Sequence, residues 1–74
     1  MNQEFEKIVG GRLRDLRVAK GLTQEQVSAQ MQVRGCDVTR SALAKIEVGQ
    51  RHIYLDELKV LREILGTSFE VLLT

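Results

Sequence analysis

The chain has 74 residues, with 11 lysines and arginines against 10 aspartates and glutamates, for a formal net charge of +1. That balance excludes a histone-like protein that coats nucleic acid by bulk charge. An apolar content of 43% excludes a disordered tail, and a chain of this length supports one small domain, which we take as residues 1–74.

There is no proline or tryptophan, and the aromatics are one tyrosine and two phenylalanines. Helix formers dominate and no β-branched alternation is present, so the composition predicts an all-α fold. A single cysteine, Cys36, permits no internal disulfide, and no spacing of His and Cys suits a metal. No apolar run has the length of a membrane span or a signal peptide. The expectations are a cytoplasmic protein with no metal, no cofactor, no small-molecule ligand and no membrane partner. The start at Met1 and the last helix favour a whole domain over the severed end of a longer regulator.

The first helix is expected over about 3–20. Phe5, Val9, Leu13 and Leu16 share one face. Gly10 and Gly11 interrupt it, since each glycine costs about 0.5–1 kcal/mol in a helix interior, and the helix is expected to be firm from about Gly11 onward. Gly21 ends it. The second helix runs from about Gln24 to Met31 or Gln32, with Val27 and Met31 inward. Thr23 and Gln26 have the spacing of a capping box.

Residues 32–38 then form a connection, in which Arg34 is a candidate for the DNA backbone and Cys36 is read as a plain free thiol. Thr39 caps a third helix at Arg40. Leu43 and Ile46 form its underside, and Gly49 suits the left-handed residue after its end. Arg40, Ser41, Ala44 and Lys45 remain on or near the outer side. A short helix with a polar start and a basic outer face is suited to entering a DNA major groove end-first. After a connection over 50–54, a fourth helix spans about 55–65, with Leu55, Leu58, Leu61 and Leu65 inward and Gly66 as its stop. Ser68 caps a last short helix, Phe69 to Leu73.

The order of these motifs resembles the Cro/repressor-like family, the xenobiotic-response-element type of helix-turn-helix DNA-binding domain. The carrying residues are Arg14-Asp15-Leu16-Arg17, Gly21-Leu22-Thr23-Gln24, Ser41 through Glu47 with Gly49, and Leu55-Asp56-Glu57-Leu58. The resemblance covers about 9–72. It implies a compact five-helix bundle of the lambda-repressor type, with helices 2 and 3 as the helix-turn-helix. It implies base contacts from Arg40, Ser41 and Lys45, and phosphate contacts from Gln24, Thr39, Gln50 and Arg51. It also implies an ion pair between Arg17 and Glu47. The departure is the connection at 32–38, longer than the family's tight turn and comparable to the lengthening in POU-specific domains.

The function expected from this is transcriptional regulation through a double-stranded DNA operator. The short last helix carries Phe69, Val71, Leu72 and Leu73, more apolar side chains than one inward face holds, so a homodimer through them on a palindromic operator is expected. The alternative is a protein-interaction module of the same fold, antitoxin-like or coactivator-like. It would keep its apolar contacts after loss of Arg40 and Lys45, whereas a DNA-binding regulator would lose an affinity that falls steeply with salt. An enzyme is not expected. The one histidine, His52, has no nucleophile pattern around it, and there is no glycine-rich phosphate loop.

Overall fold

A computed structural model describes residues 3–74. Five α-helices form among them: α1 (Gln3–Ala19), α2 (Gln24–Val33), α3 (Arg40–Glu47), α4 (Leu55–Leu65) and α5 (Phe69–Leu73). The local signals act as the sequence predicts. Thr23 accepts from the Gln26 amide at 3.1 Å while the Gln26 side chain accepts from the Thr23 amide at 2.8 Å, closing a full capping box. Thr39 Oγ1 and Ser68 Oγ each accept one orphan amide, from Ala42 and Val71, both at 3.1 Å. At the start of α4 the cap comes from inside the helix, where Glu57 reaches back to accept from the Tyr54 amide at 3.1 Å. Gly66 ends α4 in the left-handed region, at φ 64°.

One core runs through all five helices. α1 supplies Val9 and Leu13, α2 supplies Val27 and Met31, and α3 supplies Leu43 and Ile46. α4 adds Leu58, Leu61, Ile64 and Leu65, and α5 adds Leu72. Leu55 does not join them and is 85% exposed. It is the first residue of α4, and a helical side chain leans toward the N-terminus, which here carries it past the edge of the core.

One further expectation is corrected. α1 is continuous through Gly10 and Gly11, and Gly10 is a packing device rather than a break. A Cβ there would sit 2.2 Å from the Ile46 carbonyl oxygen and 3.0 Å from that of Glu47. The backbones of α1 and α3 therefore meet at this point, and no side chain fits between them. The lengthened connection between α2 and α3 is anchored to the core. Gly35 turns the chain at φ 83°. Cys36 and Val38 then plug into the core, and Ser28 Oγ donates to the Val38 carbonyl at 2.6 Å. The Cys36 amide donates to the Met31 carbonyl at 2.9 Å. Burial, with the charges of Asp56 and Glu57, pushes the Cys36 thiol up, which keeps it protonated and unreactive.

Candidate nucleic-acid interface

α3 turns Leu43, Ile46 and Glu47 inward and leaves Arg40, Ser41 and Lys45 exposed. Gln24, Arg40, Ser41 and Ala44 line one shallow cleft of about 270 Å³, so the starts of α2 and α3 open onto the same surface. Two helix N-termini beside an arginine make a surface suited to anions.

That surface rests on a buried polar network. Arg17 Nε donates to Glu47 Oε2 at 2.7 Å and Arg17 Nη2 to Oε1 at 3.1 Å, with only 11% and 2% of the two side chains exposed. Arg17 Nη1 donates to the Leu22 carbonyl at 2.8 Å. The Gln24 amide donates to Glu47 Oε1 at 2.9 Å. Its amide protons therefore face Glu47, and its carbonyl oxygen makes no hydrogen bond among the described residues. The network ties the end of α1, the start of α2 and the end of α3 into one unit.

Tertiary structure also sorts the basic residues around α3. Arg34 pairs with Glu63 at 3.3 Å. Arg51 is held by Glu57 through two hydrogen bonds, at 2.9 and 3.1 Å, and its guanidinium lies 5.8 Å from the Tyr54 ring centre. Folding thus holds Arg51, the residue expected at a phosphate, against an internal acid through Nη1 and Nη2. His52 Nδ1 lies 2.7 Å from Glu6 Oε2. Arg40 and Lys45 have no hydrogen-bond or ion-pair partner among the described residues, which leaves their charges directed to solvent. Gln50 is exposed, and its amide donates to the Lys45 carbonyl at 2.8 Å, fixing the loop to the end of α3. Thr39 is exposed, with its hydroxyl oxygen serving as the α3 cap.

The Arg51–Glu57 pair has a consequence for acid stability. Burial raises the Glu57 carboxyl, but the hydrogen bond from Arg51, the Tyr54 amide and the Arg51 charge outweigh it and hold Glu57 below its ordinary value of 4.5. A carboxylate depressed by folding stabilises above its unfolded value and loses that contribution as pH falls through the folded one. Glu57→Gln is expected to unfold more easily than wild type at pH 7, by about 1.5–3 kcal/mol for a charge-assisted pair. The gap should close below about pH 4. Urea titrations at pH 7 and pH 3 check this.

At the C-terminus, Leu72 is fully buried, and its carbonyl accepts from Arg12 Nη1 at 2.9 Å. It closes the core, so its expected place in a dimer interface is corrected. Phe69, Val71 and Leu73 are exposed at 41%, 54% and 39%. Arg62 covers part of the Phe69 ring, 5.0 Å from its centre.

Sequence reasoning missed the contact between Glu6 and His52. A signal was present. Glu6, Gly10, Leu13 and Arg17 fall at i, i+4, i+7 and i+11, one stripe of α1. Gly10 and Arg17 on that stripe meet α3, so an acid one turn earlier lies beside whatever follows α3.

These features define a helix-turn-helix domain, with α2 supporting and α3 presented. The chain belongs to the helix-turn-helix family of the Cro/repressor-like type, and the family's model matches residues 13–72. A crystal structure of the DNA-binding domain of BldD is similar over 100% of both chains, with a TM-score of 0.81 and 27% sequence identity. No curated protein matches this chain. Domains of this class work by binding, and the chain is not an enzyme. No helix among the described residues is long and apolar enough to cross a membrane.

Proposed function

We propose that this chain is a sequence-specific DNA-binding transcriptional regulator that acts inside the cell as a dimer on a palindromic operator. The observation that carries the reading is the sorting of charge. Folding pairs Arg34 and Arg51 with acids and leaves Arg40 and Lys45 without a partner among the described residues, on the exposed face of α3. Family membership and the likeness to the BldD DNA-binding domain support it.

In this reading α3 enters the major groove. Arg40 and Lys45 meet base edges, and Ser41 contributes from the first turn. Gln24, Thr39 and Gln50 fix the register on phosphates, and Arg51 shapes the loop from within. Exposed Phe69, Val71 and Leu73 support two-fold pairing, which would place two copies of α3 about 34 Å apart on one side of the duplex. Sedimentation at micromolar concentration, for wild type and Phe69→Ala, tests that pairing.

Selection of bound sequences from a random DNA pool tests the main reading. Arg40→Ala is expected to lose about 1–3 kcal/mol on the selected duplex and to relax preference at one position. Gln24→Ala is expected to weaken matched and mismatched duplexes about equally. Equal loss on both kinds of duplex for Arg40→Ala would remove the base-reading role.

A further inference from the structure

The loop after α3 lacks a free arginine, because Arg51 is bound to Glu57 and its Nη1 also donates to the His52 carbonyl at 2.9 Å. The next residue is the one histidine of the chain. Its side chain is 74% exposed, whereas that of Glu6 beneath it is 4% exposed. Gln3, Glu6, Gly49, Gln50, Arg51 and His52 line one cleft of about 260 Å³ at this end of α3.

We propose that His52 is a phosphate-contacting residue, shared as an imidazolium between Glu6 and the DNA backbone, so that binding DNA takes up a proton. This rests on the DNA-binding reading above. The argument is one of donors and acceptors. A carboxylate only accepts, so the Nδ1 that meets Glu6 at 2.7 Å carries a hydrogen. In a neutral ring the other nitrogen, Nε2, then has a lone pair and no hydrogen. A phosphate oxygen also only accepts, so a neutral His52 presents it with a repulsive contact. Adding one proton from solvent at Nε2 turns the same ring into a donor on both sides, with anions at each end. Glu6 sets the orientation and holds the far side of the ring, so Glu6 is a positioning residue.

The position fits that role. α3 has eight residues, about 12 Å of helix at 1.5 Å per residue, which matches the width of a major groove. The segment just past its end therefore reaches the phosphates at the groove's rim. The other charged groups around His52 do not substitute for it. On α1, Glu4 and Lys7 line the adjoining cleft with Gly49 and Gln50. On α4, Glu57 is neutralised by Arg51.

The test uses the full chain and a 20-base-pair duplex that it selects from a random pool. Because there is one histidine, its ring nitrogen resonances are unambiguous. On addition of duplex at pH 7.5, Nε2 is expected to move to the shift of a protonated nitrogen. At constant salt, affinity should fall as pH rises from 6 to 8, by up to about tenfold per unit, the limit for one linked proton. Calorimetry in two buffers of different ionisation enthalpy should count an uptake approaching one proton.

His52→Gln, at an exposed position, should flatten the pH dependence and bind at pH 6 as weakly as wild type does at pH 8. Glu6→Gln should move the dependence to lower pH. A ring that stays neutral in a tight complex overturns the proposal, as does a pH dependence that survives His52→Gln. If the pool yields no bound duplex at any pH, the DNA-binding reading itself fails and the contact falls with it.

Discussion

Glu47→Ala is expected to destabilise the domain by about 3–5 kcal/mol, the loss typical when one partner of a buried ion pair is removed. Arg17 is the reason. Its side chain is 11% exposed, and its guanidinium spends two of its three hydrogen bonds on Glu47. Without the carboxylate, a largely buried cation keeps only the Leu22 carbonyl of its three hydrogen bonds. A domain of this size has a total stability of roughly 4–11 kcal/mol, so much of the margin would go. Urea unfolding measures it.

The double variant Arg17→Met with Glu47→Leu removes both charges together and should recover more than half of the loss, since a buried pair is often replaced by apolar residues at little net cost. If Glu47→Ala unfolds like wild type, the network is not structural. The same network bears on the proposed function. Gln24 is oriented by Glu47 through a 2.9 Å hydrogen bond, so the double variant, though folded, is expected to bind DNA more weakly at all sequences.

Gly10→Ala and Gly11→Ala are expected to change stability in opposite directions. Helix propensity alone predicts that both gain, by about 0.5–1 kcal/mol. At Gly11 nothing lies within 4 Å of a new Cβ, so that gain should appear. At Gly10 the Cβ meets the Ile46 and Glu47 carbonyl oxygens at 2.2 and 3.0 Å. These are backbone atoms that no rotamer change moves, so α1 and α3 must separate. Overpacking of this kind costs about 1–3 kcal/mol, occasionally more. The separation would also stretch the Arg17–Glu47 pair, which bridges the same two helices. Denaturant midpoints for the two variants decide the matter, and a stabilised Gly10→Ala would show that the helices are not in backbone contact.

The Gly10 position shows how one residue carries two readings. Along the chain it is a weak spot in a helix. Against α3 it is the only residue type that fits. The model of the family begins at residue 13, so neither Gly10 nor Glu6 falls within the matched region.

Helix existence was legible in the sequence because its causes are local. The Thr23–Gln26 box, the Thr39 and Ser68 caps and the Gly66 stop each act within four residues, and the apolar stripes of Leu13, Met31, Leu43 and Leu61 repeat at helical spacing. The Arg17–Glu47 pair was reachable through the family resemblance, though the two are 30 positions apart. What the chain alone did not determine was which charges remain free and which apolar groups remain exposed. Arg51 and Arg34 look as available as Arg40 and Lys45 until Glu57 and Glu63 are brought beside them, from 6 and 29 positions away. Leu72 and Val71 are adjacent and chemically alike, yet one is fully buried and the other 54% exposed. Local conformation follows from short-range caps and periodicity, whereas the net charge and apolar area offered to a partner are what remains after distant elements have satisfied one another, and only the folded arrangement performs that subtraction.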